Sequence, residues 1–231
     1  MNKNILIFSI SALSLISCNA NDDDSSESGV QKYPESFILT KNGESITTKI
    51  SYNDKMQIIG YSEPSSNITF LYQNNRVAEV RENNNSVPYT LQYTNGILSG
   101  MTHYSDSYPV SYNSQQMSYS VGNLLSFGLE GKDLGYVNSS FENEKFIYDS
   151  TKKGPLYNLP DKDLFPVTLF SNFKYYYLST RPIQSITLTN NGTQNVLMSE
   201  NTYDNEGYIT SMTLRSATEE VFRVEYKYFQ K

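Results

Sequence analysis

The sequence predicts an all-β chain, an antiparallel meander of about a dozen strands forming a barrel or a strongly curved sheet. Three observations carry that expectation. Apolar and polar residues alternate with period 2 in run after run. Asn-Gly, Asn-Asn and Asn-Asp pairs separate the runs. The chain holds 20 Tyr and no Trp among its 231 residues, and Tyr suits a pleated surface on which its ring packs while its hydroxyl reaches water.

The chain opens with a different pattern. Met1-Asn2-Lys3-Asn4 carries one basic residue, and Ile5 to Ile16 is apolar with interspersed Ser. That stretch is shorter than the roughly 20 apolar residues a bilayer-spanning helix requires. Residues 1–17 therefore read as an export signal. The single Cys of the chain, Cys18, follows at once. Residues 18–36 read as a polar, acidic tether. The part up to residue 32 holds no aromatic and buries too little to fold. Fourteen such residues reach on the order of 20 Å. With one Cys, the chain can form no disulfide of its own.

Leu15-Ile16-Ser17-Cys18 resembles the lipobox of bacterial lipoproteins. The resemblance implies cleavage before Cys18 and acylation there, so that the membrane contact runs through N-terminal acyl chains. One acyl chain alone holds weakly, and several together hold firmly. Asp22-Asp23-Asp24 behind the Cys resembles the surface-export signal of Bacteroidetes-type lipoproteins. It implies an outer-membrane, lipid-anchored protein facing the cell exterior. A plain acidic tether would look the same.

Residues 37–231 read as one β-rich domain. Ile46, Thr48, Ile50 and Tyr52 share one strand face, with Thr47, Lys49 and Ser51 on the other. The same alternation appears over 68–72, 87–93, 117–121, 185–189 and 222–228. One apolar and one polar face mark an antiparallel sheet wet on one side. The preferred arrangement is a barrel or curved sheet with its apolar face inward. Asn42-Gly43, Asn53-Asp54, Asn74-Asn75, Asn83-Asn84-Asn85, Asn95-Gly96 and Asn191-Gly192 supply hairpin turns, since Asn and Gly accept positive φ. Tyr52-Asn53, Tyr72-Gln73-Asn74, Tyr93-Thr94-Asn95 and Tyr112-Asn113 recur about every 20 residues, the length of one hairpin.

Tyr203-Asp204-Asn205-Glu206-Gly207-Tyr208-Ile209-Thr210 looks like a YD-repeat unit. Together with the lipobox, Tyr148-Asp149-Ser150-Thr151-Lys152-Lys153-Gly154-Pro155 and the final Tyr226-Lys227-Tyr228 strand, it resembles secreted Bacteroidetes-type lipoproteins of unknown function, described as porin-like β-barrels. The resemblance implies that fold and brings no catalytic residues.

Residues 149–182 interrupt the meander. Pro155, Pro160, Pro166 and Pro182 exclude a central strand. Pro166 suits the first turn of a helix, so a short helix is expected over about 166–177. The segment is rich in apolar and aromatic residues. It either plugs the core or offers a ligand rim of Tyr157, Phe165, Phe173, Tyr175, Tyr176 and Tyr177 to a glycan or protein.

The composition excludes several classes. A net charge of −6 is unsuited to nucleic acid. His103 is the single His, so no His pair exists to bind a metal. No metal site, cofactor or catalytic residue is assigned. The favoured function is a surface-anchored, non-enzymatic binding or structural module. The alternative is a carboxylate-dependent glycan hydrolase, with Asp161 and Asp163 as the pair.

Overall fold

The computed structural model describes residues 30–83, 87–161, 163–170 and 174–231. Sixteen strands close into one barrel: β1 (Lys32–Lys41), β2 (Glu44–Tyr52), β3 (Ile58–Ser62), β4 (Asn67–Gln73), β5 (Arg76–Glu82), β6 (Tyr89–Thr94), β7 (Ile97–His103), β8 (Asp106–Asn113), β9 (Ser118–Val121), β10 (Leu125–Glu130), β11 (Asp133–Ser139), β12 (Asn143–Tyr148), β13 (Ile183–Asn190), β14 (Thr193–Tyr203), β15 (Ile209–Arg215) and β16 (Glu220–Gln230). Each pairs antiparallel with its sequence neighbours. β1 closes the ring against β16, with Phe37 opposite Tyr226 and Leu39 opposite Val224. The expected meander is present, with more strands than the dozen anticipated. Closure leaves no sheet edge for unwanted pairing.

Two sequence expectations are corrected here. The folded domain starts at Lys32 rather than 37, because Tyr33 and Phe37 are buried against the closing strand. Residues 32–36 are therefore strand, not tether. The single helix over 166–177 is instead a five-residue helix α1 (Phe165–Leu169), with Pro166 in its first turn, and a 3₁₀ turn (Lys174–Tyr176). Cys18, Asp22, Asp23 and Asp24 lie outside the described residues.

The turns follow the sequence logic. Asn42, Asn74, Asn75, Asn95 and Asn191 have positive φ, as do Gly43, Gly96 and Gly192. The Asn53 carboxamide accepts the N–H groups of Lys55 and Gln57. Asp204 does the same for Glu206 and Tyr208. These side-chain bonds tighten the reversal and replace backbone partners.

Alternation sets inside from outside. In β16, Phe222, Val224 and Tyr226 are buried while Arg223, Glu225 and Lys227 are exposed. Phe222 packs on Tyr177 of the 149–182 segment, 5.8 Å between ring centres. The buried face is therefore the lumen, and the charged face is the outer wall. Thr47, Lys49 and Gln92 are likewise exposed. A membrane-spanning barrel has the reverse polarity, with an apolar band outside.

Candidate functional site at the plugged mouth

Because consecutive strands run antiparallel, every even-to-odd turn falls at one end of the barrel. That end, the mouth, holds the turns at 53–57, 74–75, 95–96, 114–117, 131–132 and 204–208. It also holds the start of β1, the end of β16 and both arms of the 149–182 segment. The Tyr-Asx repeat is spaced by one hairpin, so all its copies gather at this end.

The segment enters the lumen rather than capping it. Its two arms pair at the neck: Gly154 N–H donates to Thr180 O at 2.8 Å, and Leu156 N–H to Ser179 O at 3.0 Å. Phe165 then stacks against Phe127 and Tyr119, at 5.0 and 5.4 Å. The Tyr61 hydroxyl donates to Val167 O at 3.0 Å. At the far end Lys174 pairs with Glu63, and the hydroxyls of Tyr175 and Tyr176 donate to Glu144. The chain returns past Tyr177, whose carbonyl accepts the Tyr226 hydroxyl at 2.7 Å. The plug thus runs the height of the barrel and back.

Apolar burial drives this path, since Leu156, Leu159, Leu164, Phe165, Val167 and Leu178 are almost fully buried. A void beside Asp133, Thr168 and Tyr175 measures about 10 Å³, room for one water at most.

Polar latches fix both limbs. Asp133 is buried and accepts the Thr180 N–H at 2.6 Å, the Thr180 hydroxyl at 2.7 Å and Arg181 Nε at 2.9 Å. The Arg181 guanidinium also lies 4.8 Å from the Tyr148 ring centre. Lys153 and Tyr208 form an isolated bridge. Lys32 bonds Asp204 at 2.7 Å. Burial pushes the Asp204 carboxyl upward, but the Lys32 ammonium and the N–H groups of Tyr208 and Glu206 outweigh it and hold Asp204 below its ordinary value.

Beside an open hollow of about 600 Å³ between the 53–57 and 74–75 turns, the mouth holds a cleft of about 260 Å³. Its walls are Tyr72, Arg76 and Tyr93 from the hairpins and Asp161, Asp163 and Pro166 from the plug, with Asn74 and Asn75 at the lip. Arg76 pairs with Asp163 and lies 5.3 Å over the Tyr93 ring. Asp161 accepts from the buried Gln57 amide at 2.8 Å, and the Tyr72 hydroxyl approaches its other oxygen at 3.5 Å. Burial raises the Asp161 carboxyl above its ordinary value, and those two groups and Lys132 restrain the rise.

Most of the expected ligand rim is relocated by the structure. Phe165, Tyr175 and Tyr177 are buried inside the lumen and Tyr176 is half-buried on Glu144. They are plug residues, because an apolar ring gains more from the lumen than from water. Phe173 lies outside the described residues. Tyr157 alone is exposed, packed edge-on against Tyr208 at 6.1 Å. Asp161 and Asp163 do share one cleft. Asn74 and Asn75 carry a turn signal in the sequence, and Arg76 carries no mark of its own. Their cue was position, since a hairpin-spaced repeat puts every copy at the plugged end. His103 stacks on Tyr89 at 3.8 Å at the opposite end. Among the described residues, no group of three His, Cys, Asp or Glu is placed to hold a metal.

No family model matches the chain, and no curated protein matches it. Among solved structures, the chain is similar to a porin-like protein from Bacteroides vulgatus ATCC 8482, with TM-score 0.53 and 12% identity over 86% of this chain and 99% of that one. A porin-like protein from Bacteroides uniformis ATCC 8492 aligns over 86% of this chain and 98% of that one, at TM-score 0.41 and 12% identity. The likeness to the first is one of fold. Within that fold, this chain fills its lumen and turns its charged residues outward.

Proposed function

We propose that this chain is a lipid-anchored outer-membrane protein displayed on the cell exterior, and that its barrel is a non-enzymatic binding or structural module rather than a pore. The observation that carries the reading is the plug. Among the described residues the lumen is packed along its height with no open path for solute, and a charged outer wall does not match a hydrocarbon layer. What remains is a rigid scaffold with a polar cleft at its mouth. The anchor rests on the lipobox-like residues before Cys18, and the outward address on Asp22, Asp23 and Asp24. Membrane contact through acyl chains alone, with a glycan or protein as ligand and no nucleic-acid partner, follows from the same reading.

The test has three readouts. Cys18→Ala abolishes palmitate labelling and membrane fractionation. Protease added to intact cells removes the domain, and replacing Asp22, Asp23 and Asp24 with Ala protects it. The purified protein gives no ion conductance in planar bilayers. Unchanged labelling of the Cys18→Ala variant overturns the anchor, protection of the unaltered protein overturns the outward address, and steady conductance overturns the closed scaffold.

A second reading has one observation in its favour: Asp161 and Asp163 line the same cleft. Paired carboxylates with different surroundings can serve as acid and base in glycoside hydrolysis. Turnover of glycan substrates that disappears in both Asp161→Asn and Asp163→Asn establishes that reading in place of the first.

A further inference from the structure

We infer that the mouth cleft is a binding subsite for a neutral, hydroxyl-rich ligand, a saccharide of one or two rings. The inference deepens the display reading above and rests on it. Its first ground is charge balance. The cleft proper holds the carboxylates of Asp161 and Asp163 and the guanidinium of Arg76. Among the described residues, two carboxylates face the Arg76 guanidinium and the Lys55 ammonium that bonds Asn75 at the lip. A strongly anionic ligand meets the two carboxylates, and a cationic one meets Arg76. A neutral ligand meets neither penalty.

The second ground is the pattern of donors and acceptors. Asp161 spends part of its acceptor capacity on Gln57, and a carboxylate has about four acceptor positions. Arg76 directs one N–H of its five to Asp163. At the lip, Asn75 Oδ1 accepts Lys55 Nζ at 2.7 Å, which leaves its amide N–H₂ to donate. Acceptor, donor and amide thus stand around one small space. A hydroxyl group, donor and acceptor at once, complements such alternation at every position. An apolar ligand would strand these groups without partners, at about 1–3 kcal/mol each.

The third ground is preorganisation. Gln57 is 4% exposed and is held in turn by Asn53, whose Nδ2 donates to Gln57 Oε1 at 2.9 Å. The Asn53–Gln57–Asp161 chain orients the carboxylate before any ligand arrives. Tyr72 is fixed beside the other oxygen, 3.5 Å away, because its single hydroxyl proton goes to Ile58 O at 3.0 Å. A site whose polar groups are already set loses little freedom on binding. The volume of about 260 Å³ suits a small ligand or the terminal unit of a longer one.

The experiment uses the full chain purified in detergent micelles and saturation-transfer NMR. The probes are glucose, galactose, mannose, N-acetylglucosamine, lactose and cellobiose, with galacturonic and sialic acids as the charged comparison. Transfer is expected from at least one neutral saccharide. Arg76→Gln and Asn75→Gly are each expected to weaken that binding at least tenfold, while Phe141→Ala, at an exposed hairpin tip of the opposite end, leaves it unchanged. Gly accepts the positive φ of position 75, so this variant removes the amide and keeps the turn should Arg76→Gln not fold. Transfer from none of the neutral probes, from the acidic probes only, or with equal strength in Asn75→Gly overturns the inference. A protein that is surface-exposed and non-conducting yet binds no saccharide leaves the display reading standing. A conducting protein removes that reading first.

Discussion

Tyr93 donates its hydroxyl to the carbonyl of Val77 at 3.0 Å, and Val77 is the residue that faces Tyr72 across the bulge of the preceding hairpin. The relationship repeats around the mouth. Tyr52 bonds Pro34 O, Tyr72 bonds Ile58 O, Tyr148 bonds Leu134 O and Tyr228 bonds Ile209 O, at 2.7 to 3.0 Å. Each acceptor sits at a register shift. A bulge leaves a ladder carbonyl without its partner, and a buried carbonyl is costly unless it is bonded. In the repeat, Tyr52, Tyr72 and Tyr93 meet that demand and tie their strands to the ones before, and Tyr148 and Tyr228 do the same outside it. At Ile183 the same duty falls to Ser199 and Asn201.

Removing one of these hydroxyls leaves a buried acceptor unpaired. Tyr148→Phe is expected to cost about 1–3 kcal/mol, because both Tyr148 and its bond to Leu134 are buried. Tyr52→Phe, at a half-buried position, is expected to cost less. Urea titrations followed by Tyr fluorescence check the order, and equal stability of Tyr148→Phe and the parent would refute the role.

The neck of the plug has no room for a side chain at position 154. A Cβ there would lie 2.5 Å from Ser179 O and 2.7 Å from the Thr180 carbonyl carbon. Gly154→Ala must part the two arms and lose the Gly154–Thr180 bond, so a loss of roughly 1–3 kcal/mol is expected. For a domain of this size that lowers Tm by about 2–4 °C per kcal/mol. Gly131→Ala meets nothing within 4 Å but has φ +67°, so its smaller loss isolates backbone strain from steric conflict. Calorimetry on the two variants makes the comparison.

The plug tip is held by a charge. Lys174 is 4% exposed at its side chain and bonds Glu63 at 2.8 Å, which also accepts from Thr48 at 2.8 Å. Breaking a buried pair from one side costs roughly 3 kcal/mol, because the other charge stays behind. Lys174→Met is expected near that figure, reduced because Glu63 keeps some solvent. Lys174→Met with Glu63→Gln is expected to recover most of the loss. A double-mutant cycle that shows simple additivity would mean the pair does not couple.

Glu144 predicts a pH dependence. Burial raises its carboxyl above the ordinary 4.5, and the Tyr176 and Tyr175 hydroxyls offset only part of that. An acid whose pKa is raised by folding binds its proton more tightly in the folded state. Its contribution to stability therefore falls as pH climbs from 4.5 through the folded value, and stays low above it. Glu144→Gln keeps a hydrogen-bond acceptor for Tyr176 without the charge. The Tm of the variant minus that of the parent is expected to grow with pH across that window. A constant difference would show that Glu144 does not titrate there.

Much of this architecture was legible in the chain. Asn-Gly and Asn-Asn pairs mark turns because positive φ suits few other residues, and the 222–228 run shows both faces of β16 directly. The strand count was less legible. β9 and β10 are short, and Ser118, Ser126 and Gly128 blur their alternation. β1 starts at Lys32 although Pro34 and Glu35 are poor strand residues, because a bulge there accommodates the proline. The cleft was half legible. Asp161 and Asp163 stood out as neighbouring carboxylates, while Arg76, more than 80 positions away, carried no local mark.

The sequence by itself determined the local choices. Period-2 alternation dictates which side chains share a face, and Asx chemistry dictates where each strand turns back, because both act over a few residues. Only the tertiary structure decided three things: that the last strand returns to the first, that the lumen is filled by the chain's own 149–182 segment, and that Phe165, Tyr175 and Tyr177 are therefore plug rather than rim. Each depends on which apolar surfaces meet. Burial rewards any apolar partner of suitable shape, and the closed ring supplied that partner only after every hairpin was in place.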